Sequence, residues 1–366
     1  KYITVSENLS GEYFGNSVDT EVNGELLQVL SRLYWMTKND MYLTWAIDIG
    51  DYYLIKHPEI LNKATRLRLR DHGCEIIGGL SELYVTLHFV DNEKKDSYKA
   101  NLYKVLNRIL EIGINQDGMF YNEVNMSSGI IVDSTIVDNW GYLYNAYYAV
   151  YLIDNIITYR DAVLQALNSL SSKYSNFNWE NGSSDGFADA IESGICFYNR
   201  EPIPDLKTWI DKEIQFMWAI QDNKIKNSGI IEGWHGDGNF ARTSLLYCLW
   251  KTNGVFLKPW REDLIMGTYK KDSSLFISIS AKEDWNGILY FDFNRHQELM
   301  NLPLDYTRIN HFPEWYTLND KDMYTVAIDN KTSTSSGRKL KNGIEISYKK
   351  NNTYQIKVTK PNILYK

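Results

Sequence analysis

The sequence of 366 residues has few of the features that mark membrane, nucleic-acid-binding or metal-binding proteins. No apolar run reaches the ~18 residues that a membrane span requires. Lysine and arginine total 39 against 46 acidic residues, a net charge of −7, and they form no basic block for nucleic acid or an anionic membrane. Its three cysteines, Cys74, Cys196 and Cys248, stand far apart, which argues against a disulfide framework and a zinc site. We therefore expect no membrane span, nucleic-acid partner, metal or cofactor.

Aromatic residues, in contrast, are abundant. Tyrosine, phenylalanine and tryptophan number 27, 13 and 11, together 14% of the chain. Apolar residues make up 44% and charged residues 23%, as in a folded globular protein. The length exceeds the ~100–150 residues of a typical domain, so we expect one large domain and a smaller one. The aromatic content predicts either an aromatic core or a surface that stacks on flat ligands.

A repeated pattern runs through the first 270 residues. Five times, at intervals of roughly 50–65 residues, an aspartate in a polar turn precedes an amphipathic stretch. These motifs begin at Asp19, Asp71, Asp138, Asp185 and Asp237. Aspartate is a favoured N-cap, so each motif is interpreted as a helix start. Helical spacing of apolar residues predicts a second helix after each of the first four motifs. These second helices are expected over residues 39–57, 95–112, 158–173 and 205–220.

The motif helices carry small residues that allow close helix packing, among them Gly78, Gly79, Ala146 and Gly194. They are therefore expected to form an inner ring, with the second helices outside. The pattern predicts an (α/α) toroid of helical hairpins over residues 1–270, and an open solenoid of the same hairpins is the structural alternative. Five motif helices make a ring that is one hairpin short, so we expect the sixth hairpin either to lie in further sequence upstream or to be irregular.

From about residue 273 the apolar periodicity changes to two, as in strands with one buried face. Turns rich in asparagine, glycine and lysine bound the alternating stretches. The stretches lie at residues 274–280, 287–293, 323–329, 343–348 and 353–359. An antiparallel, β-sandwich-like domain is therefore expected over residues 271–366.

The loops that lead into the inner helices of such a toroid open on one rim. Three of them, residues 113–137, 174–184 and 221–236, are long, and long loops in a compact domain are usually functional. We expect them to converge on one pocket. The polar, aromatic-rich connection over residues 295–316 either folds back over this rim or simply joins strands.

The densest group of chemically active side chains lies between residues 232 and 242. Cleavage of a glycosidic bond needs a proton donor and, opposite it, a base or nucleophile. Glu232 or Asp237 would supply one of these groups, and His235, in a loop between tryptophan and glycine, is the strongest single candidate. The second carboxylate would come from across the pocket: Glu75, Asp138, Asp189 or Glu192. A helix cap is the equally weighted structural interpretation of Asp237.

The catalytic candidates are therefore Glu232, His235, Asp237, Glu75 and Asp138. The residues expected to bind substrate are His72, Asn139, Trp140, Tyr142, Asp189, Glu192, Trp234, Asn239 and Arg242. Among these, Trp140 is expected to stack on a sugar face and Asn139 to hydrogen-bond a carboxylate or hydroxyl group.

Ring-facing acids and aromatics on an α/α toroid, followed by a β-domain, resemble the toroidal carbohydrate-active enzymes. The segment 232–254, and more weakly 70–84 and 295–316, is similar to bacterial proteins near glycoside hydrolase family 154. The resemblance implies a glycoside hydrolase acting on a uronic-acid-containing oligo- or polysaccharide, with Arg242 or His235 pairing with the uronate carboxylate. We expect a periplasmic or extracellular location.

Two alternatives stay open at this point. A polysaccharide lyase would use a histidine or tyrosine base, such as His72, His235 or Tyr142, to remove the proton next to a uronate carboxyl group. A non-catalytic glycan-binding protein would present a shallow groove without paired acids, because helix-hairpin solenoids often bind partners along a concave face.

Overall fold

The computed structural model describes residues 20–224, 238–329 and 331–360, with the side chains of residues 221–224 left out. The described chain divides into two units. The first contains the residues up to Thr243 together with Met300–His311, and the second contains Ser244–Leu299 and the residues from Phe312 onward. None of the described helices combines the length and apolar character needed to cross a bilayer.

The first unit is built from helical hairpins. Its motif helices are α1 (Thr20–Thr37), α4 (Glu75–Phe89), α6 (Trp140–Asp154), α8 (Ser184–Tyr198) and α10 (Asn239–Lys251), the last of which continues into the second unit. The second helices are α2 (Asp40–Asp51, extended by a π-turn at Tyr52–Lys56), α5 (Lys94–Ile112), α7 (Ile157–Lys173) and α9 (Pro204–Lys224), and a short helix α3 spans Glu59–Asn62. Both predicted series of helices are confirmed at the expected positions.

The motif helices form the inner layer. Helix α4 packs against α1 on one side and α6 on the other, and α6 packs against α8. Every residue of α4 from Glu75 to Leu87 is buried, as expected for a helix enclosed on all sides. The outer helices α2, α5, α7 and α9 each pack on the motif helix that precedes them. The two layers agree with the predicted hairpin architecture, while closure into a complete toroid stays a prediction.

Two glycines bring α1 and α4 into backbone contact. A Cβ atom at Gly79 would lie 2.4 Å from the Gly24 carbonyl oxygen, and one at Gly24 would lie 2.2 Å from the carbonyl carbon of Glu75. The neighbouring Gly78 has room for a methyl group, because its Cβ would make only ordinary van der Waals contacts, at 3.6 Å or more. The small residues thus have separate roles, and only some of them set the helix spacing.

This difference predicts opposite outcomes for two adjacent substitutions. Gly79→Ala is expected to lower the free energy of unfolding by ~1–3 kcal/mol, because the added methyl group overpacks the α1–α4 contact. Gly78→Ala is the matched control and is expected to be neutral or stabilising by up to ~1 kcal/mol, since alanine favours the helix. Thermal and denaturant unfolding followed by the helical circular dichroism signal measures both. Equal stability of the two variants would contradict the proposed backbone contact.

A segment from late in the sequence completes the first unit. Residues Met300–His311, called the inserted segment below, follow the helix Arg295–Glu298 and pack among the inner helices. The hydroxyl of its buried Tyr306 donates to Glu82 of α4, and Arg32 of α1 donates to the carbonyl of Ile309 at 3.1 Å. The connection over residues 295–316 was expected either to fold back or simply to join strands. Residues 300–311 fold back onto the helical domain.

The inserted segment reaches the remaining inner helices as well. Arg200, just after α8, forms an ion pair with Asp305 at 2.6 Å. The hydroxyl of Thr307 donates to the carbonyl of Asn145 in α6 at 3.5 Å. A cavity of only about 10 Å³ remains between α4, α6 and the inserted segment, room for about one water molecule. The inserted segment therefore fills the space between the inner helices.

A small antiparallel sheet joins the loop before α4, which supplies one strand, to the long loop before α6, which supplies two. Its strands are β1 (Leu67–Arg68), β2 (Tyr121–Val124) and β3 (Ile131–Ile136). The sequence pattern predicts a loop over residues 113–137, because β2 is short and neither β2 nor β3 shows a clear alternation of apolar residues.

The second unit consists mainly of antiparallel strands. One sheet orders its strands as β11 (Lys331–Ser336), β10 (Met323–Ile328), β13 (Tyr354–Thr359), β6 (Ser274–Ser280) and β5 (Ile265–Lys271). Another sheet contains β12 (Ile344–Tyr348), β7 (Trp285–Tyr290) and β4 (Phe256–Lys258). A short parallel pair is formed by β8 (Asp292–Phe293) and β9 (Thr317–Leu318), and Gly337–Lys341 forms a helix.

The two larger sheets contribute to one hydrophobic core, which includes Leu275, Ile277, Trp285, Leu289 and Ile356. Antiparallel strands are confirmed in all five predicted stretches, but the end of the stretch 287–293 forms β8, which pairs in parallel with β9. The sandwich-like packing of the sheets stays a prediction. The predicted domain boundary at residues 270 and 271 falls inside β5, because β4 and β5 already belong to the second unit. Glycine, threonine and lysine in β5 hide its alternation from a sequence pattern.

Candidate active site

The aspartates of the repeat do not cap their helices where the structure describes them. The N-cap residues are Cys74 for α4 and Asn139 for α6, neither with a side-chain cap bond, and α8 is capped by the Ser183 hydroxyl. Asp185 instead accepts a hydrogen bond from Asn239 at the start of α10. The capping interpretation is therefore wrong for these three motifs. Asp138 and Asp185 contact residues at other helix starts, whereas Asp71 pairs with residues of its own loop.

One group of charges surrounds Arg70, in the loop before α4. Its guanidinium lies 2.8 Å from Asp71 and 3.3 Å from Asp138, and it also pairs with Glu180 from the loop before α8. Asp138 is 3% exposed, and burial raises its pKa to about 6, with Arg70 opposing this shift and Glu180 adding to it. We call Arg70, Asp71, Asp138 and Glu180 the Arg70 cluster.

Glu180 of this cluster and the neighbouring His72 adopt left-handed backbone conformations. Glu180 has φ of 43° and His72 has φ of 64°. Such conformations are unfavourable for residues other than glycine and concentrate at functional sites. Glu180 lies in the loop before α8, and His72 lies in the loop before α4.

His72 and Glu75 connect the Arg70 cluster to α1 and α4. The Nδ1 atom of the exposed His72 lies 2.6 Å from a carboxylate oxygen of Glu21, and this hydrogen bond raises the pKa of the imidazole. Glu75 is buried at the first turn of α4 and accepts a hydrogen bond from the backbone N–H of His72 at 3.2 Å. Burial raises the pKa of Glu75, and backbone hydrogen bonds oppose the shift.

A second group forms around Arg242 at the start of α10. Its Nη2 atom lies 3.0 Å from Asp189 and 3.2 Å from the Tyr142 hydroxyl, and it also pairs with Glu192. Its Nη1 atom donates to the side-chain oxygen of Asn310 in the inserted segment at 3.0 Å. We call Tyr142, Asp189, Glu192 and Arg242 the Arg242 cluster.

The two carboxyl groups of this cluster are buried side by side. Asp189 and Glu192 stand three positions apart on α8, which places them on one helix face. Burial raises the pKa of Asp189 well above its usual range; Glu192 adds to the shift and Arg242 opposes it. Burial also raises the pKa of Glu192, against the effects of Arg242 and Tyr142. Because they share one guanidinium, the pair is expected to retain one proton, which we place on Asp189.

The two clusters belong to one region at the N-terminal ends of the inner helices, called the rim below. The backbone N–H of Gly141 in α6 donates to the Ser193 hydroxyl of α8 at 3.2 Å, which joins the helices between the clusters. The negative charge of Asp138 also contributes to the raised pKa of Asp189. The rim therefore holds carboxyl groups in different protonation environments, which is the requirement for acid–base catalysis.

The rim carboxylates are neutralised mainly by arginine. Asp138, Asp189 and Glu192 each contact a guanidinium group, whereas a bound divalent cation would be expected to use such oxygens as ligands. In the described rim, these three carboxyl groups are therefore paired with arginine side chains.

Two predicted substrate-binding residues lie in the core. Trp140 is fully buried, and its ring stacks on Phe197 with centroids 6.1 Å apart, so the predicted sugar stacking is wrong. Asn139 is 1% exposed and donates to the Cys74 sulfur at 3.8 Å, which turns its amide away from solvent. Trp179 and Phe240, also near helix starts, are buried as well. These rings belong to an aromatic core.

The other predicted residues divide between the rim and the part of the chain that is not described. Tyr142, Asp189, Glu192 and Arg242 meet in one cluster, Asp138 lies in the other, and His72, Glu75 and Asn239 lie beside them. The candidates Glu232, Trp234, His235 and Asp237 lie outside the described residues.

Three residues at the rim were not among the predicted catalytic or substrate-binding residues. Arg70 lies in the second motif next to Asp71, and its position before a helix start was an available signal. Glu180 lies in a long loop without a distinguishing pattern. Asn310 is 68 positions from its partner Arg242, so no local spacing could reveal it.

Comparisons with known proteins give similarities at the level of structure alone. No family model matches the sequence, and no match is found among curated proteins. A glycoside hydrolase family 76 mannosidase from Bacteroides thetaiotaomicron shares 15% identity over 54% of this chain, which spans 57% of that protein, with a TM-score of 0.39.

Two further solved structures are similar at the same level. One is an inactive α-1,6-mannanase variant from Salegentibacter in complex with α-1,6-mannotetrose (11% identity, 58% of this chain and 68% of that one, TM-score 0.42). The other is a family 127 β-L-arabinofuranosidase from Geobacillus stearothermophilus (9% identity, covering 99% of this chain and 76% of that one, TM-score 0.36). These scores are too low to assign an activity, so the function has to be argued from the residues of this chain.

Proposed function

We propose that this chain is a glycoside hydrolase whose catalytic carboxyl groups lie at the rim. The observation that carries the proposal is the meeting of buried carboxyl groups from separate inner-helix starts, Asp138 before α6 and Asp189 with Glu192 in α8, each beside an arginine. Glycosidic cleavage needs one carboxyl group that carries a proton and one that does not.

The environments of the two sites suggest which group has which role. Burial and the neighbouring Glu192 raise the pKa of Asp189 well above its usual range, so Asp189 is assigned as the general acid, the carboxyl group that carries the proton. Asp138 has a pKa of about 6 and is mostly ionised at neutral pH, held by Arg70. It is assigned as the base or nucleophile. Glu192 pairs with Arg242 and positions Asp189.

The charge of the rim favours a neutral sugar over the uronate expected from the sequence. Arg242, which was expected to pair with a uronate carboxylate, already contacts Asp189 and Glu192. Carboxylates outnumber guanidinium groups among the described rim residues, so an anionic sugar would be repelled. Similarity to family 154 stays a prediction.

The environment of Tyr142 disfavours the lyase alternative, in which this residue would act as the base. Burial and the neighbouring Glu192 and Asp189 raise the pKa of this phenol well above its usual range, so little phenolate is available as a base. A purely glycan-binding protein would have no need of paired buried acids, which cost stability when they are charged.

The activity is tested with a panel of neutral and uronic-acid-containing oligosaccharides. New reducing ends without the ultraviolet absorbance of an unsaturated uronate are expected, and they should come from a neutral substrate. Appearance of that absorbance would instead identify a lyase. Absence of both signals across the panel would overturn the proposal of an enzyme.

A further inference from the structure

The outer face of the five-stranded sheet in the second unit carries a row of side chains with no role in the proposed reaction. Tyr269 of β5 stands opposite Phe276 of β6, Phe276 opposite Lys357 of β13, and Lys357 opposite Ala327 of β10. Residues directly opposite each other share a face of the sheet. Tyr269 is 62% exposed and Phe276 is 37% exposed, so this face is directed outward.

The next row along the strands is made of smaller side chains. Gly267 stands opposite Ser278, and Ser278 opposite Gln355. A Cβ atom at Gly267 would meet no atom within 4 Å. Because the second row is shorter than the first, the two rows enclose a groove of about 490 Å³. At one end of the groove, the Asp329 carboxylate accepts a hydrogen bond from the backbone N–H of Gln355, and the backbone N–H of Asp329 donates to the Gln355 carbonyl. Small-molecule sites have volumes of ~300–1,000 Å³.

The groove combines two kinds of contact. The rings of Tyr269 and Phe276 lie with centroids 6.3 Å apart and present an apolar surface, with the Lys357 ammonium 5.2 Å from the Phe276 centroid. Beside them, Ser278 and Gln355 offer a hydroxyl and an amide group that both donate and accept hydrogen bonds. One cation and one anion, Lys357 and Asp329, leave the groove without net charge.

We infer that this groove binds a short stretch of a neutral polysaccharide. A sugar ring has a C–H face that packs on aromatic rings and hydroxyl groups that both donate and accept, so it matches both kinds of contact. The absence of net charge in the groove complements an uncharged ligand. A protein partner would need roughly 800 Å² of complementary surface, most of it outside so small a groove. The four strands span ~14 Å, enough for several sugar units.

The inference adds a second glycan contact to the proposed hydrolase and does not require the rim to be catalytic, because binding is measured without turnover. The full chain is run in native gels that contain yeast mannan, arabinan, xylan or mixed-linkage β-glucan, with polygalacturonate as the acidic comparison. Retardation by at least one neutral polysaccharide is expected.

The variants are chosen so that the fold is kept. Tyr269→Ala with Phe276→Ala removes the rings, and Gly267→Ile fills the groove without a clash, since the site is open and its backbone suits a strand. Each is expected to weaken binding at least tenfold. Trp260→Ala, which removes another exposed aromatic ring (69% exposed) outside the groove, is the matched control and should bind normally.

The inference is overturned if no neutral polysaccharide retards the protein, if polygalacturonate alone does so, or if Gly267→Ile binds as the parent chain does. Sedimentation of the double variant provides another test, because a changed oligomeric state would show that a second copy covers this face. Hydrolysis of small aryl glycosides should be unchanged in Gly267→Ile. Binding without hydrolysis would contradict only the proposed function, and hydrolysis without binding would contradict only this inference.

Discussion

Asp138→Asn is expected to lower kcat by ~10²–10⁴-fold, the usual contribution of a general acid or base. The amide cannot act as a base or nucleophile, while it keeps nearly the size of the buried carboxyl group. In the parent chain, kcat/KM should fall as the pH drops through about 6, because protonation of Asp138 removes the ionised form. Steady-state kinetics across pH measures both effects, and the acid limb near pH 6 should be absent from the residual activity of the variant.

Arg70 offers a way to move that limb without removing the carboxyl group. The guanidinium lowers the pKa of Asp138, so Arg70→Gln should raise that pKa and shift the acid limb upward. Asp133→Asn is the control, since this aspartate lies on β3 and bonds Asn122 and Thr135. It should leave kcat unchanged. Full activity of Asp138→Asn, or an acid limb that Arg70→Gln does not move, would show that the catalytic base lies elsewhere.

The assignment of Asp189 is tested by the leaving group. A dinitrophenyl glycoside departs without protonation, so Asp189→Asn should cleave it at close to the parent rate and lose activity on natural glycosides. Asp138→Asn should be slow on both substrates. If the two variants respond alike, the distinct acid and base roles are wrong.

The helical hairpins were predictable because their signal is local. Apolar spacing within 15 to 20 residues places Lys94–Ile112 and Ile157–Lys173 almost to the residue. The alternating strands of the second unit follow from the same kind of local pattern, such as Ser274–Ser280. Strand β5 was not predicted, because Gly267 and Lys270 interrupt the alternation of apolar and polar residues along it.

The sequence predicted the types of residue that form the site and some of the individual residues in it. An acidic residue near each helix start is compatible with both a capping role and a catalytic role. Only contacts between distant parts of the chain distinguish the two roles. Asp138, for example, contacts Arg70, which lies 68 positions away in the sequence. Trp140 shows the opposite error. Its place at a helix entry suggested a sugar platform, but the neighbouring α8 supplies Phe197 and covers the ring.

Arg242→Met is expected to lower the free energy of unfolding by ~3–5 kcal/mol at alkaline pH, the usual cost of breaking a buried ion pair from one side. The side chain is 20% exposed and contacts both Asp189 and Glu192. Without the guanidinium, the pKa values of both carboxyl groups rise further, because burial is no longer opposed. Thermal unfolding across pH measures the loss.

The pH dependence of this loss has a definite sign. Between the ordinary carboxyl pKa of ~4 and the raised values, the folded variant holds protons that the unfolded chain has released, so its stability falls as the pH rises. The destabilisation of Arg242→Met should therefore be small in acid and grow towards alkaline pH.

Adding Glu192→Gln to Arg242→Met should recover part of the loss, since the amide has no charge to bury. The control is Arg338→Gln, which removes an exposed pair with Asp320 in the second unit and should barely change stability. A loss in Arg242→Met that is the same at all pH values, or one that Glu192→Gln does not reduce, would mean that packing, and not charge, explains the effect. In that case the Arg242 cluster would hold its carboxyl groups in their neutral forms, and Arg242 would not be the group that sets their protonation.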